Sequence, residues 1–247
     1  KEAGKIILKI YNEDFKVYKK KDDSRKEGHS ALTEADIQSN EFISRSLKII
    51  YPDIPIIAEE SKEIPFGERK KWQYFWLVDP LDGTKDFIKR NGEFTVNIAL
   101  IYKNNPILGV VYVPVKDTLY YGDANGSFKK VGNEGPMRLP LKIENKDSYI
   151  VVASRSHSTK ETENFVENLK KEHQKIELIN LGSSLKFCMV AEGKADIYPR
   201  FGETSEWDTA AAHAVVKFAG KGVYEFGSNK ELKYNKENLL NHWFIVK

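Results

Sequence analysis

Apolar residues at Ala3, Ile6, Ile7 and Ile10 recur at helical spacing and predict an amphipathic helix at the start of the chain. A second helix is predicted from Thr33. Asp36, three residues on, gives a capping-box pattern, and Ile37, Phe42, Ile43 and Leu47 supply the apolar face. The period then changes. Short apolar segments bounded by proline and glycine, at 55–58, 74–78, 94–102, 107–113 and 118–121, read as strands. Lys103-Asn104-Asn105-Pro106 is a hairpin-like connection between two of them, and Asn125-Gly126 is a further turn signal. This part predicts an antiparallel-rich sheet flanked by helices.

Between residues 130 and 140 the composition shifts to glycine, proline and polar residues, which predicts an α+β domain over 1–140 and an α/β domain over 141–247. The second half alternates: strand 149–153, helix near 159–171, strand 176–179, helix 184–191, strand 195–199, helix 209–219 and strand 222–224. Such alternation predicts a parallel or mixed sheet with helices against it. No internal repeat or low-complexity tract interrupts it. The lysine-rich run Lys16–Lys26 reads as a solvated loop, or as a lid over a site.

Composition narrows the function classes. With 40% apolar and 12% aromatic residues, the chain of 247 residues builds a sizeable core rather than a disordered ensemble. Its 39 Lys+Arg against 36 Asp+Glu leave a formal net charge of +3, which gives no bulk reason to bind nucleic acid or an anionic membrane. The single cysteine, Cys188, excludes an intrachain disulfide and a cysteine-based zinc site, and reads as a packed residue of a reducing, cytoplasmic compartment. The longest apolar run, 107–115, falls far short of the roughly 20 residues a membrane helix needs. No signal-peptide pattern is present, so the location expected is the cytoplasm, with at most a peripheral position at the inner face of the membrane.

The acidic residues carry the chemistry. An apolar strand delivers Asp79; Pro80, lacking an N–H, is expected to stop the ladder; and Asp82 follows before Gly83 and Thr84 open a helix. Two acids at the end of a buried strand repel each other unless protons, basic residues or metal ions compensate. Amides at a helix start attract phosphate, and carboxylates beside an anion site require cations between them, a role that suits Mg²⁺. The plainer reading is that Asp79 and Asp82 cap a turn. Glu59-Glu60 follows the strand at 55–58 in the same manner, or forms an acidic loop, and Asp208 reads as the N-cap of the helix that follows. Lys186 and Arg200 lie inside apolar segments, unlike ordinary surface charge, whereas His213 reads as a packed histidine.

The stretch Trp76–Thr84, with Glu59-Glu60-Ser61 upstream and Trp207-Asp208-Thr209-Ala210-Ala211 downstream, resembles the inositol monophosphatase superfamily of metal-dependent phosphatases. The blocks Lys85–Leu100, Ser154–His157, Gly182–Cys188 and Tyr198–Gly202 resemble, within it, the bacterial branch of the 3′(2′),5′-bisphosphate nucleotidases. The resemblance implies a two-domain αβαβα layered sandwich, α/β in class. It also implies two to three Mg²⁺ ions on Glu59, Asp79, the Leu81 carbonyl, Asp82 and Asp208. Asp79 would bridge two metals, with Asp82 and Asp208 on one and Glu59 and Leu81 on the other. Asp36 and Thr84 match the pair that orients and deprotonates the attacking water. Glu59, Leu81, Asp82, Gly83, Thr84 and Asp208 would meet the substrate at its scissile phosphate, and Ser183, Lys186 and Arg200 would grip the nucleotide, with His157 near the same pocket.

The activity so implied is Mg²⁺-dependent removal of the 3′-phosphate of adenosine 3′,5′-bisphosphate, and of 3′-phosphoadenylyl sulfate, in sulfate assimilation, with inhibition by lithium. Three alternatives compete with it. An inositol-phosphate or sugar-phosphate phosphatase of the same superfamily would share the metal centre. A haloacid-dehalogenase-type phosphatase would need acids one residue apart, whereas two residues separate Asp79 from Asp82. A nucleotide-sensing module that has lost catalysis would not keep every catalytic position filled.

Overall fold

The computed structural model describes residues 1–19, 31–142, 147–155 and 159–247. Helix α1 (Glu2–Tyr11) forms as its spacing predicts and buries Ala3, Gly4, Ile7 and Ile10. Strands β1 (Val17–Lys19) and β2 (Ala31–Thr33) pair antiparallel ahead of helix α2 (Glu34–Ile50). Most of the Lys16–Lys26 run, and His157, lie outside the described residues. Thr33 is the N-cap of α2 and Asp36 its third residue, completing the capping box. The inward face of α2 differs from the expected one. Ile37 and Phe42 are exposed, and the buried residues are Ala35, Asp36, Ser39 and Ile43. Asp36 and Ser39 turn inward because both find hydrogen-bond partners on the chain between residues 80 and 84.

Next come β3 (Ile56–Ala58), α3 (Phe66–Arg69), β4 (Tyr74–Asp82), α4 (Thr84–Ile88), β5 (Thr95–Tyr102), β6 (Asn105–Val113), β7 (Thr118–Asp123), β8 (Gly126–Val131) and β9 (Met137–Arg138). The seven strands β3 to β9 form one sheet in sequence order, antiparallel throughout except for the parallel β3–β4 pair. Pro80 does not end β4 as expected. The strand runs on to Asp82 through an irregularity: Asp79 pairs with Asn97 and Asp82 with Thr95, so Pro80 and Leu81 bulge out between them. Ser39 Oγ donates to the Pro80 carbonyl at 2.9 Å, giving the bulged backbone a partner from α2.

The remaining elements are β10 (Tyr149–Ser154), α5 (Lys160–Leu169), β11 (Ile176–Leu181), α6 (Leu185–Ala191), β12 (Tyr198–Arg200), α7 (Glu206–Phe218), β13 (Val223–Glu225) and β14 (Phe244–Val246). β10 and β11 are parallel, whereas β12, β14 and β13 form an antiparallel sheet with β14 in the middle. A parallel bridge between Val151 and Ile197 joins the two, giving the mixed sheet expected. β14 was not anticipated: three residues after a polar tail carry too little periodicity to register.

The layers follow from alternation along the strands. Trp76 and Val78 of β4 pack in one core with α1 and α2, while Phe75 and Leu77 pack in the other with α6 and α7. That second core continues to Tyr198, Val223, Phe244 and Val246 of the C-terminal sheet, and α5 covers its far side through Val166 against Val151 and Ile197. The order is therefore helices, sheet, helices, sheet, helix, the αβαβα sandwich. α7 is the central helix, and its alanines are a steric requirement. Gly109 of β6 and Gly122 of β7 lie opposite each other, and α7 rests on them. A Cβ on Gly109 would lie 2.2 Å from the Ala211 carbonyl oxygen, and one on Gly122 2.9 Å from that of Ala214. Gly109→Ala should therefore lower the unfolding free energy by about 3 kcal/mol, the upper end of overpacking costs. Gly67→Ala, where nothing lies within 4 Å of the new methyl, should change little. Thermal unfolding of the two variants checks this, and equal midpoints would refute the seating of α7.

Candidate metal centre and phosphate site

Five elements deliver acids or hydroxyls to one place. Glu59 directly follows β3, Asp79 lies in β4, and Asp208 is the third residue of α7. One carboxylate oxygen from each of these three lies within 4.8 Å of the others. Asp79 is 1% exposed, so its charge is screened little by water. Hard oxygen donors without histidine or cysteine match the preference of Mg²⁺, and the donor set therefore fits the metal that the resemblance implies.

Asp208 is not the N-cap of α7; Ser205 is, and Asp208 closes a capping box by accepting from the Ser205 N–H at 2.8 Å. Asp36 stands in the same position at the start of α2, its Oδ2 accepting from the N–H (2.7 Å) and hydroxyl of Thr33. Its Oδ1 accepts from the Thr84 hydroxyl at 3.0 Å, and Thr84 Oγ1 also lies 3.4 Å from the Leu81 carbonyl. Burial pushes the Asp36 carboxyl up, against the hydrogen bonds from Thr33 and Thr84, with the Glu59 charge adding to the rise. Asp36 and Thr84 are thus in direct contact. The Leu81 N–H donates to Asp79 Oδ1 at 3.1 Å, so the bulge also orients the central acid.

Asp82 is not part of the three-carboxylate group among the described residues. Its Oδ2 accepts from Ser183 Oγ at 2.8 Å, Ser184 Oγ at 3.2 Å and Asn97 Nδ2 at 3.4 Å. Gly83 has φ +94°, and a Cβ there would meet the Glu93 carbonyl at 3.0 Å and Ser183 Cβ at 3.3 Å; both conformation and space require glycine. Ser183 itself has φ +54°. Its hydroxyl sits 2.6 Å from that of Thr95.

Lys186 is not surface charge. It is 5% exposed, and its Nζ donates to the Ser183 carbonyl at 2.5 Å and the Leu181 carbonyl at 3.3 Å. Burial pushes its ammonium down to about 8, with Asp82 opposing the fall and the nearby Arg200 charge adding to it. Arg200 donates to the Glu203 carbonyl at 2.8 Å. Lys186 and Arg200 are near enough to disfavour each other, and Asp82, Asp86 and Glu93 all act on the Lys186 ammonium in the opposite sense. Cys188 and His213 are packed residues, as expected: Cys188 is 1% exposed, and His213 is fully buried against the Tyr234 hydroxyl (2.8 Å) and Glu231 (3.1 Å).

The profile of the inositol monophosphatase family matches residues 1–242. The chain belongs to this family. A curated relative from Salmonella typhimurium strain LT2, the 3′(2′),5′-bisphosphate nucleotidase CysQ, is 45% identical over 248 residues, covering 100% of this chain and 95% of its own. The crystal structure of CysQ from Bacteroides thetaiotaomicron, a bacterial member of the family, is 47% identical with a TM-score of 0.87, covering 99% of this chain and 92% of that one. An IMPase/NADP phosphatase solved with Mg²⁺ and phosphate shares the fold, with a TM-score of 0.75 at 18% identity, covering 100% of this chain and 86% of that one. The family is metal-dependent. Among the described residues no helix is long and apolar enough to cross a membrane.

Several residues around the carboxylate group and the Ser183–Ser184 turn went unread in the sequence. Thr95 and Asn97 are buried neighbours of Asp82 and the Ser183–Ser184 turn, and two polar residues at i and i+2 in an apolar strand were the available signal. Glu93 accepts from the Gly182 N–H at 2.7 Å and from Arg155 at 2.7 Å, holding the same turn from below. With Asp79 the buried member of the carboxylate group, Asp79→Asn should abolish Mg²⁺ binding, which calorimetry of the metal-free protein reads directly; undiminished binding would remove Asp79 from the proposed ligand set.

Proposed function

We propose that the chain is a Mg²⁺-dependent 3′(2′),5′-bisphosphate nucleotidase that hydrolyses the 3′-phosphate of adenosine 3′,5′-bisphosphate to AMP and phosphate, and converts 3′-phosphoadenylyl sulfate to adenylyl sulfate. The observation that carries this reading is the convergence of the Glu59, Asp79 and Asp208 oxygens beside the bonded Asp36–Thr84 pair. Its relatives at 45% and 47% identity, both CysQ proteins, support the choice of substrate. Two to three Mg²⁺ ions are assigned to Glu59, Asp79, the Leu81 carbonyl, Asp82 and Asp208. Residues 1–140 supply most of these ligands, and residues 141–247 supply Asp208 and the specificity. Bound there, magnesium supplies Lewis-acid stabilisation of the phosphoryl oxygens and makes the attacking water more acidic.

The protein's own groups do the rest. Thr84 donates a hydrogen bond to the Asp36 carboxylate, which turns an oxygen lone pair outward to orient a water. As that water adds to phosphorus, its proton passes by way of Thr84 to Asp36. The bond from phosphorus to the ribose 3′ oxygen breaks, and that oxygen takes up a proton from solvent to leave as a hydroxyl. No covalent phosphoenzyme forms. Gly83 lets the turn before Thr84 pack closely on Glu93 and Ser183, which any side chain there would run into. Lys186 and Arg200 are assigned to the phosphate that is not cleaved, Arg200 through its paired N–H donors. A reaction on a soluble nucleotide, with one buried thiol, suits the cytoplasm.

Phosphate release from adenosine 3′,5′-bisphosphate, inositol 1-phosphate and fructose 1,6-bisphosphate tests the assignment. The bisphosphate nucleotide should be turned over best, and equal or faster turnover of either competitor moves the enzyme to the other branch of the family. The Lys186 ammonium gives a second test. A group pushed down to about 8 is charged below that pH and loses its charge as pH rises through it. The KM for the bisphosphate should therefore climb above about pH 8, and the climb should flatten in Lys186→Arg, whose charge persists. A wild-type profile flat across that range would take Lys186 out of substrate binding.

A further inference from the structure

Asp208 reaches the metal centre from the first turn of α7, whereas Glu59 and Asp79 come from β3 and β4, so the site depends on how that turn is held against those strands. Glu206, the first residue of α7, is fully buried. Its Oε2 accepts from the Asn235 N–H at 2.6 Å, and its Oε1 accepts from the Lys236 N–H at 3.0 Å and the Lys236 ammonium at 2.6 Å. Asn235 sits at φ +67° and continues the bridge outward. Its Oδ1 accepts from Arg69 Nη1 at 2.9 Å, and its Nδ2 donates to the Arg69 carbonyl at 2.8 Å.

Arg69 is 1% exposed and stands in the connection between β3 and β4. It also donates to the Lys236 and Glu237 carbonyls at 2.5 and 2.6 Å and to the Ile64 carbonyl at 3.2 Å. The same C-terminal segment encloses the capping turn from its other side. Asn241 Nδ2 donates to the Ser205 carbonyl at 2.9 Å and to Thr209 Oγ1 at 3.1 Å, and the Glu206 N–H donates to the Leu239 carbonyl at 2.9 Å. Residues 235–241 are thus a brace with one end on the β3–β4 connection and the other on the turn that carries Asp208.

We propose that Glu206 is a positioning residue of the metal centre: through Asn235 and Arg69 it fixes the Asp208 turn of α7 against the strands that bear Glu59 and Asp79. None of these braced groups is among the residues assigned above to the metal or the substrate. A buried acid with three donors, linked to a buried guanidinium by one asparagine, is a chain in which each member holds the next, and loosening any link lets the Asp208 carboxylate drift from its partners. This rests on the reading of Glu59, Asp79 and Asp208 as metal ligands.

Calorimetric titration of the metal-free full-length protein with Mg²⁺, at a temperature well below every melting midpoint, separates positioning from plain structural support. Glu206→Gln removes the acceptor for the Asn235 N–H, and Asn235→Gly cuts the bridge in its middle while tolerating the positive φ. Each should weaken Mg²⁺ binding by roughly 10–100-fold, the range seen when groups that orient metal ligands are lost. The double variant should lose less than the product of the two, because both act on one chain of contacts. Val166→Ala, in the core beneath α5 and away from the brace, is the control for lowered stability with unchanged Mg²⁺ affinity.

If Glu206→Gln does not fold, Asn235→Gly carries the same test. Wild-type Mg²⁺ affinity in the brace variants, with a melting loss like that of Val166→Ala, overturns the proposal while Asp79→Asn, lacking binding, leaves the metal site standing. A wild-type protein that binds no Mg²⁺ overturns both.

Discussion

Three carboxylates whose oxygens lie within 4.8 Å of one another repel, and much of this structure is explained by what it takes to hold them there. Two unit charges 4 Å apart in a partly screened protein environment cost about 4 kcal/mol. Flexible loops would relax that strain by moving apart. Here the acids are fixed by backbone: Asp79 inside a strand that runs through an irregularity, Asp208 in a capping box, and Glu59 at the end of the strand paired parallel to β4. The irregularity is in turn held from α2, by Ser39 on the Pro80 carbonyl. A cation relieves the repulsion without any change of backbone, which is why rigid acids and metal dependence belong together.

The central helix ties this site to the rest of the molecule. α7 lies between the two sheets, buries Trp207 and a run of alanines, and meets β6 and β7 at backbone distance over a glycine pair. One helix therefore sets both the spacing of the layers and the depth at which Asp208 enters the site. On the opposite side of β4, α2 does the equivalent for Asp36. The Ser183–Lys186 turn is built differently: Ser183, at positive φ, donates to Asp82 through its hydroxyl and accepts from the buried Lys186 through its carbonyl.

How much of this could be read from the sequence depended on whether a residue acts locally. Helical spacing and the capping pattern at Thr33 and Asp36 are local, and both were legible, as were the strands with continuous apolar runs. The inward face of α2 was not, because hydrophobicity placed Ile37 and Phe42 inside whereas hydrogen bonding placed Asp36 and Ser39 there. Pro80 looked like a strand end because it lacks an N–H, but a bulge accommodates it. Arg69, Glu206 and Asn235 gave no sequence signal at all, since Asn235 joins Arg69 across 166 positions and Glu206 across 29. Glu59, Asp79, Asp82 and Asp208 were singled out through their motif. Their grouping of three, with Asp82 held instead by Ser183 and Ser184, needed coordinates.

The two capping boxes have an electrostatic consequence. Asp36 and Asp208 are each the third residue of their helix, and Glu59 links the two: its charge acts on Asp36 and its carboxylate groups with that of Asp208, so the amino ends of α2 and α7 both lie near Glu59. Each helix macrodipole places the equivalent of about half a positive charge at its amino end. Two of them together offset about one carboxylate's worth of negative potential before any ion arrives. The pocket is therefore less anionic than its count of acids suggests, and a phosphate group can approach acidic residues that would otherwise turn it away. A chain with a formal charge of only +3 needs no basic surface to attract such a substrate, because the peptide backbone already supplies the positive field where it is used.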